Sequence, residues 1–517
     1  MKFNESQKSE SVGVCSNSNG ARFFNSSRVH LSLTAAEFAY RSFFLFLVDV
    51  MDNNTNLDET CTTASKSMST PSVEAIAKAQ NELLAETVKH SVKVSKFYRD
   101  LYQNINTKNI GLDDLKRLPI LSREAVEIHG KNIIWKNAPG EIFTLTTSGT
   151  SGNPLTVFRS SEEIRLINTL LRNTSSKGTK KLFLVFRNPF HGTKYTIDWP
   201  AIHPLGITLE KEENHIEAAD MLYRKQKTPS KEMYPSGIMG TIAKVYSFTI
   251  LSLEKGYNLT DTHVDTIYTT GDMYPLKIKK MLEEAWDAMV IDSYSLTEVI
   301  GTAKECKHCA GYHLDNHVIW EVIDPFSRTP VDKGAGFLCL TPLYPFVQVF
   351  PLIRYNTADL VEIRSSCSQG SSFVPLGRFK NSVFIRKNNE TVLLLSSKAI
   401  REILVNIPDV ARERMFSPNF TIPQFYSFYT IFGLEVKTSK TLKEMSLHIE
   451  LVYDPSFYPR RARELSNYIL DELLARNPNL ERCYNKNLVN IQVICCGPKE
   501  IPPEIRARDK NWTRNRY

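Results

Sequence analysis

Strand and helix signals alternate between residues 182 and 291, and this alternation restricts the fold more than any other feature of the sequence. Short apolar runs of strand type stand at Leu182-Phe-Leu-Val185, Thr266-Ile-Tyr268 and Met289-Val-Ile291. A helical pattern from Leu276 to Trp286 separates the last two runs. Strands that alternate with helices of roughly 10–15 residues indicate a layered α/β architecture with a parallel sheet.

A run of hydroxyl and glycine residues precedes this region. It reads Thr144-Leu-Thr-Thr-Ser-Gly-Thr-Ser-Gly-Asn-Pro154, and apolar segments at 142–143 and 155–158 flank it. Glycine lets backbone N–H groups turn towards one point, and hydroxyl groups can donate hydrogen bonds to phosphate oxygens. The pattern predicts a strand, a flexible phosphate-binding loop and a second strand, although plain surface loops share this composition. No Gly-Lys-Ser/Thr follows, so the loop is not a P-loop.

Composition and charge exclude several classes of function. The chain has 517 residues, of which 42% are hydrophobic, so it can bury a large core in two or more domains. A net charge of +8 is a small excess of 64 basic over 56 acidic residues, and no basic stripe indicates a nucleic-acid partner. The nine cysteines are too scattered for a disulfide framework, which favours a cytoplasmic location.

The N-terminal tract contains the one segment that resembles a targeting signal. Phe43-Phe-Leu-Phe-Leu-Val48 is apolar, but Arg41 precedes it and Asp49 follows it, so we expect neither a membrane span nor a signal peptide. We expect residues 1–71 to be disordered or an over-extended start, with Met51 or Met68 as alternative first residues.

Three motifs resemble those of the adenylate-forming (acyl- and aryl-CoA synthetase) superfamily. Thr147-Ser-Gly-Thr-Ser-Gly-Asn-Pro154 is similar to its ATP-phosphate loop, Ser/Thr-Ser-Gly-Thr-Thr-Gly-x-Pro. Asp292-Ser-Tyr-Ser-Leu-Thr-Glu298 resembles its Tyr-Gly-x-Thr-Glu motif, with Ser295 in place of glycine. Phe350-Pro-Leu-Ile-Arg-Tyr-Asn-Thr-Ala-Asp-Leu360 resembles a segment of the phenylacetate-CoA ligase branch, with Ala358 in place of glycine. The resemblance extends over about residues 75 to 510.

The resemblance implies an α/β fold with two domains. A large layered α/β N-terminal domain would occupy residues 72–376, and a small mobile α/β lid domain would occupy residues 377–517. Strand, helix and strand patterns at 447–452, 462–474 and 489–494 suit such a lid. Gly377-Arg-Phe-Lys-Asn381 matches the hinge between the two domains, with Lys380 where most members carry aspartate.

The same resemblance implies the residues that bind ATP. Tyr294 would lie against adenine, Asp359 would accept hydrogen bonds from the ribose hydroxyls, and Arg378 would lie near the ribose and phosphate. The other expected nucleotide-binding residues lie in the phosphate loop and after the strand at 266–268: Thr147, Ser148, Gly149, Thr150, Ser151, Gly152, Gly271 and Asp272.

Four residues are expected to act in catalysis. By the resemblance, Thr297 would touch the α-phosphate and Glu298 would hold Mg²⁺. The lid of the superfamily carries a lysine near its end that bridges the carboxylate and the α-phosphate. The simplest alignment places Arg506 at that position, with Lys510 four residues later, so both are candidates.

Glu305-Cys-Lys-His-Cys-Ala-Gly-Tyr-His313 has a separate chemistry. A Cys-x-x-Cys with two nearby histidines offers ligands suited to tetrahedral Zn²⁺, and some phenylacetate-ligase-like proteins carry such a site at this place. The segment predicts either a zinc site or free thiols in a loop. The candidate ligands are Cys306, His308, Cys309 and His313, with Cys339 in reserve.

Two functions are consistent with the sequence. The first is an acid–thiol ligase that uses ATP and Mg²⁺ to convert a small carboxylic acid, aryl or acyl, into an acyl-adenylate with release of pyrophosphate. CoA, or another acceptor such as an amine, would then take the acyl group. We expect residues 188–199 and 234–241 to shape the acid pocket. The second is a catalytically degenerate protein that binds AMP or acyl-AMP and acts as a sensor or assembly partner.

Overall fold

The computed structural model describes residues 73–147, 155–174, 180–187, 201–367, 370–387, 390–413, 415–417, 420–422, 426–438 and 443–507. Several predictions fall outside these ranges. They concern the tract at 1–71, the loop residues from Ser148 to Gly152, the pocket segment at 188–199 and Lys510.

The described chain alternates helices and strands. The helices are α1 (Val73–Val94), α2 (Lys96–Leu101), α3 (Arg123–Ile133), α4 (Ser161–Thr174), α5 (Glu212–Leu222), α6 (Ile242–Glu254), α7 (Leu276–Trp286), α8 (Ser397–Leu404), α9 (Pro459–Arg476) and α10 (Pro478–Asn485). The first strands are β1 (Ile142–Thr146), β2 (Thr156–Ser160), β3 (Lys181–Arg187), β4 (Ile202–Thr208), β5 (Gln226–Lys227), β6 (Glu232–Met233), β7 (Gly237–Thr241), β8 (Thr266–Thr270), β9 (Met289–Ser295), β10 (Thr302–Glu305) and β11 (Tyr312–Leu314). The later strands are β12 (Val318–Ile323), β13 (Ala335–Pro342), β14 (Tyr355–Cys367), β15 (Gly370–Arg378), β16 (Val383–Lys387), β17 (Glu390–Leu395), β18 (Met415–Ser417), β19 (Phe420–Ile422), β20 (Phe432–Thr438), β21 (Lys443–Glu450) and β22 (Val489–Cys496).

One sheet of eleven strands forms the centre of the N-terminal part, in the order β12-β13-β14-β15-β11-β10-β9-β8-β7-β3-β4. The strands from β9 to β4 are parallel, as the alternating pattern predicts. The strands from β12 to β10 are antiparallel, a feature that the sequence analysis did not predict. The residues between β9 and β10 are too few for a crossover helix, so β10 turns back along β9.

The local helix signals are confirmed. Helix α7 has the predicted bounds, and the Ser122 side chain caps α3 by accepting from the Ala125 N–H at 3.2 Å. Ser160 and Glu163 form a capping box at the start of α4, with reciprocal hydrogen bonds of 2.5 and 3.2 Å.

The helices that precede the sheet are fastened to it by Arg354. Its guanidinium donates to both carboxylate oxygens of Glu321 at 2.9 Å and to the Leu118 carbonyl at 2.6 Å. Backbone hydrogen bonds between Leu121 and the 354–356 segment lie beside these contacts. The Pro-Leu-Ile-Arg-Tyr segment therefore holds the N-terminal helices against the sheet.

The C-terminal part has its own hydrophobic core, built from β16, β17, α8, α9, α10 and the three-stranded sheet β20-β21-β22. The predicted strand, helix and strand correspond to β21, α9 and β22. This arrangement confirms the α/β fold with a separate C-terminal unit, whereas the boundary at residue 377 stays a prediction. No helix in the described ranges is both long and apolar enough to cross a membrane.

Candidate active site

A cavity of about 160 Å³ lies at the carboxyl ends of the parallel strands β8 and β9. Five of the residues predicted to bind the nucleotide line it: Gly271, Asp272, Tyr294, Asp359 and Arg378. Ligands of open α/β sheets bind at this edge, because the loops that follow the strands leave a crevice there. The cavity is therefore the candidate active site.

Asp359 is held between a tyrosine and an arginine at one end of the cavity. Its Oδ2 accepts a hydrogen bond from the Tyr294 hydroxyl at 2.8 Å, and its Oδ1 lies 3.1 Å from Nη1 of Arg378. The pairing of β14 with β15 places Asp359 opposite Arg378. Burial and the Asp359 carboxylate raise the pKa of Tyr294 well above its usual value, so its hydroxyl stays a donor. Such a carboxylate retains lone pairs for the hydroxyl groups of a ligand.

The backbone beside Asp359 is strained. Ala358 has φ 60°, in the left-handed region that L-residues other than glycine enter at a cost of roughly 1–2 kcal/mol. The turn is closed by the Asn356 side chain, which accepts from the Ala358 N–H at 2.9 Å, and by the Thr357 hydroxyl, which accepts from the Asp359 N–H at 3.1 Å. Ala358, which stands where the similar family segment has glycine, therefore preserves the turn.

Two paired strands flank the predicted phosphate loop. Strands β1 and β2 pair antiparallel, so the two expected strands are confirmed. Thr147 closes the base of the loop: its N–H donates to the Leu155 carbonyl at 2.9 Å, and its Oγ1 accepts from the Leu155 N–H at 2.8 Å. Thr147 is buried, and these two bonds engage its polar groups in the hairpin.

Thr297 and Glu298 follow β9 but are not among the residues that line the cavity. The buried Glu298 carboxylate accepts from the Tyr355 hydroxyl at 3.1 Å and pairs with Arg123 at 3.4 Å through the same oxygen, Oε1. The Glu298 carbonyl accepts from the buried Arg159 guanidinium. Within the described residues no hydrogen bond to Glu298 Oε2 is formed, so this oxygen fits a single-carboxylate ligand of Mg²⁺.

The other end of the cavity carries charged residues that the sequence analysis did not assign. Asp292, from the quoted motif, is buried and accepts from the hydroxyls of Thr269 at 2.8 Å and Tyr312 at 2.7 Å. Burial raises the pKa of Asp292 to about 7, although these two hydrogen bonds oppose the shift. Glu305 lies beside it, with Oε2 2.6 Å from the ammonium of Lys279. Tyr312 is on β11 and Glu305 is on β10. No sequence motif indicates that either residue would line the cavity.

Helix α8, from the C-terminal part, closes this end. Lys398 and Glu402 line the cavity, and the Glu402 carboxylate accepts from the Leu276 N–H at the start of α7 at 2.9 Å. The Tyr429 hydroxyl donates to Asp272 at 2.8 Å. The C-terminal part therefore contacts the cavity wall directly.

The cysteine-rich segment forms a compact cluster whose ligand side chains are not among the residues that line the cavity. The ligand atoms of Cys306, Cys309, His313 and Cys367 all lie within 4.8 Å of one another. Nε2 of His313 is 3.4 Å from the sulfur of Cys309 and 3.3 Å from that of Cys367. Zinc bonds of about 2.3 Å to sulfur and 2.0 Å to nitrogen place tetrahedral ligand atoms roughly 3.3–3.8 Å apart. The four side chains therefore fit a tetrahedral zinc ion.

This geometry corrects part of the predicted ligand set. His308 is exposed and outside the cluster, because the turn after β10 directs it away from Cys306, and Cys367 takes the fourth place. Cys339, held in reserve, is buried on β13 near Glu321 instead. Burial opposes ionisation of Cys309, but hydrogen bonds from Ser372, the Gly311 N–H and His313 lower the pKa of its thiol to about 6. The other His313 nitrogen lies 3.1 Å from the Ser371 carbonyl, which orients the ring as in ligating histidines.

Arg506 does not reach the cavity. Its guanidinium lies 3.6 Å from Glu413 and 4.0 Å from Glu450, both within the C-terminal part. Its backbone forms a bridge with Gly433, next to the three-stranded sheet. In the arrangement described, Arg506 is a structural residue of that unit, contrary to the expected place beside the nucleotide.

No protein-family model and no curated protein sequence matches the chain. Solved structures do match it in shape. The open conformation of 2-hydroxyisobutyryl-CoA ligase, in complex with 2-HIB-AMP and CoA, has a TM-score of 0.59 at 16% identity and covers 89% of this chain and 98% of its own. The same ligase in the postadenylation state with R3-HIB-AMP has a TM-score of 0.55 at 16% identity, with 89% and 95% covered. The structural neighbours are CoA ligases of the adenylate-forming superfamily, and the chain has their fold.

Proposed function

We propose that this protein is an ATP-dependent acid–thiol ligase that activates a small carboxylic acid as an acyl-adenylate and transfers the acyl group to CoA. The observation that carries the proposal is the Asp359 carboxylate, fixed by Tyr294 and Arg378 in a cavity at the carboxyl ends of β8 and β9. The 2-hydroxyisobutyryl-CoA ligase with this fold holds an acyl-AMP and CoA in its structure. Its low identity means that the acid itself stays open.

The first half-reaction joins the acid to AMP. A carboxylate oxygen attacks the α-phosphorus, the bond to the bridging oxygen breaks, and pyrophosphate leaves. Asp359 would hold the ribose, and the loop that follows Thr147 would supply backbone N–H donors to the phosphates. Glu298 would hold Mg²⁺, which offsets the negative charge of the leaving pyrophosphate. Thr297, beside it, would donate to the α-phosphate.

The second half-reaction transfers the acyl group. The sulfur of CoA, as a thiolate, attacks the activated carbonyl carbon, and AMP leaves with the electron pair of the broken C–O bond. An amine acceptor would react at the same carbonyl and lose a proton. We favour CoA because the segment at 350–360 resembles the phenylacetate-CoA ligase branch. We keep the cytoplasm, where CoA and ATP are abundant, as the proposed location.

A second candidate function is supported by one observation. Arg506, the aligned counterpart of the adenylation lysine, pairs with Glu413 and Glu450 and lies outside the cavity. A protein that binds AMP or acyl-AMP without turnover would act as a sensor. Pyrophosphate release in the presence of acids separates the two functions.

The proposal is tested by Asp359→Ala with an acid that supports pyrophosphate release. Asp359 contacts the ribose in the ground state and in the transition state alike, so the KM for ATP should rise about tenfold or more while kcat changes less. Steady-state measurement of pyrophosphate at varied ATP gives both constants. Glu435→Ala, which removes a half-exposed carboxylate of β20 outside the cavity, serves as a control. A fall in kcat alone would show that Asp359 does not contact the ribose.

We also propose that Cys306, Cys309, His313 and Cys367 hold a structural zinc ion. All four side chains are protein ligands, so no coordination position is left for a substrate. The ion would join the turn after β10 to β11 and to the end of β14.

A further inference from the structure

The cavity has two chemically distinct ends, and the proposed function fixes which part of a nucleotide faces each. Asp359 and Arg378 mark the ribose. Glu298 and the hairpin of β1 and β2 mark the phosphates, and neither Glu298 nor Thr147 lines the cavity. Tyr294, expected to lie against adenine, is two residues from Asp292 on β9, so the base is assigned to the end with Asp292. The inference below rests on the proposed function for this assignment.

Lys398 differs from the other donors at this end in having no hydrogen-bond partner among the described residues. The ammonium of Lys279 donates to Glu305, and the Tyr312 hydroxyl donates to Asp292. By contrast, no acceptor among the described residues lies within hydrogen-bonding distance of the Lys398 Nζ. Nearby carboxylates act on it only through charge, in the order Glu402, Asp292 and Glu305, and burial lowers its pKa. A largely buried ammonium without a hydrogen-bond acceptor is costly unless a ligand or water supplies one.

The position of Lys398 in its helix is also unfavourable in itself. Ser396 caps α8 by accepting from the Ala399 N–H at 3.2 Å, so Lys398 is the second residue of the first turn. A cation in the first turn opposes the helix dipole, which favours negative charge there. Residues whose charge does not suit their position in a helix are expected at functional sites.

We propose that Lys398 is a nucleotide-binding residue that donates a hydrogen bond to a ring nitrogen of the purine base. Ring nitrogens of adenine are acceptors, and an ammonium carries only donors, so the two are complementary. The ionised carboxylates around Lys398 are acceptors and cannot donate to those nitrogens. The contact would hold the base from the C-terminal side of the hinge segment.

A consequence is that base recognition requires α8 to be docked against the cavity. The same helix reaches α7 through Glu402, so occupation of the base end and docking of the C-terminal part stabilise each other. A nucleotide would then bind more weakly to any arrangement in which α8 has moved away.

The test uses the full chain and calorimetric titration with adenosine and with AMP. Lys398→Met removes the ammonium at similar side-chain length, and Lys277→Met is the matched control, because Lys277 is the second residue of α7, exposed and outside the cavity. We expect Lys398→Met to weaken adenosine and AMP by the same factor, about tenfold, as for a hydrogen bond to a charged group. Lys277→Met should bind both as the wild type does.

Three base analogues, 1-deaza-, 3-deaza- and 7-deazaadenosine, test the contact on the wild type itself, so the test does not depend on the folding of Lys398→Met. One of the three should bind the wild type about tenfold more weakly than adenosine does. Lys398→Met should bind that analogue and adenosine equally. Unchanged adenosine affinity in Lys398→Met, a loss for AMP only, or full affinity of the wild type for all three analogues would each overturn the proposal. If the wild type binds neither adenosine nor AMP nor ATP, both this proposal and the proposed function are wrong. If only Asp359→Ala loses binding, the proposed function still stands.

Discussion

At the scale of the residue, the site depends on how Asp359 is presented. Its carboxylate is positioned by a hydrogen bond of 2.8 Å from Tyr294 and an ion pair of 3.1 Å with Arg378. The turn that precedes it places Ala358 at φ 60°. The side chain of Ala358 is exposed, so the strain is confined to the backbone.

Ala358→Gly should therefore stabilise the protein. Relief of the left-handed strain, roughly 1–2 kcal/mol, exceeds the entropic cost of glycine, roughly 0.5–1 kcal/mol, so the free energy of unfolding should rise by about 0.5–1 kcal/mol. Ala335→Gly is the control, because Ala335 begins β13 without a positive φ and should lose stability. Thermal unfolding of the three proteins measures the difference. A lower melting temperature for Ala358→Gly would show that the turn does not strain this residue.

Residues that share a local motif could be predicted from the sequence, and residues that meet only in three dimensions could not. Tyr294, Asp359 and Arg378 stand in segments that resemble known motifs, and the structure brings them to one cavity. Lys398 escaped notice because none of the quoted motifs contains it. Cys367 escaped notice because β14 and β15 carry it back to His313 from 54 positions away.

At the scale of the element, the antiparallel strands β10, β11, β14 and β15 bring the four candidate zinc ligands together. Ala310, at φ 52°, turns the chain between Cys306 and Gly311, whose backbone groups are joined by a hydrogen bond of 2.8 Å. The Cys-x-x-Cys spacing indicated candidate ligands, but no periodicity of the sequence indicates that strands after β9 reverse direction. The parallel half of the sheet was predictable, since its strands alternate with helices.

Cys367→Ser should release about one zinc per chain, because a structural site needs all four ligands. His308→Ala is the matched control: His308 lies in the same segment but outside the cluster, and zinc content should not change. Elemental analysis of protein purified without chelators measures both, and the melting temperature of Cys367→Ser should fall. Zinc loss in His308→Ala with retention in Cys367→Ser would restore the ligand set predicted from the sequence, and a wild type without zinc would remove the site.

At the scale of the whole molecule, the C-terminal part is packed against the N-terminal part. Phe428 and Tyr429 belong to the hydrophobic core that covers α6 and α7, and Tyr429 also bonds to Asp272. Burial of a large aromatic side chain contributes roughly 1.5–3 kcal/mol, so a lid that rotates away must offset the loss of these contacts. The expected mobility of the lid stays a prediction, and this packing sets its energetic cost.

The cation of adenylation can be located by two substitutions near the end of the chain. Since Arg506 is engaged by Glu413 and Glu450, Arg506→Ala should change the rate of pyrophosphate release by no more than about threefold. Lys510→Ala should lower it by roughly 10²-fold, as expected when a group that stabilises transition-state charge is removed. The rates are compared at saturating ATP and acid. The opposite ranking would assign the catalytic charge to Arg506 and require it to leave its ion pairs.

The central claim is that this chain forms an acyl-adenylate, and mass spectrometry of the reaction without an acceptor tests it most directly. The purified protein is incubated with ATP, Mg²⁺ and each member of a panel of aryl and short-chain acids, quenched, and searched for the mass of acid plus AMP minus water. The account predicts this species with at least one acid, in an amount that falls in Asp359→Ala. AMP binding by the wild type without acyl-adenylate from any acid would contradict the enzyme and favour the sensor.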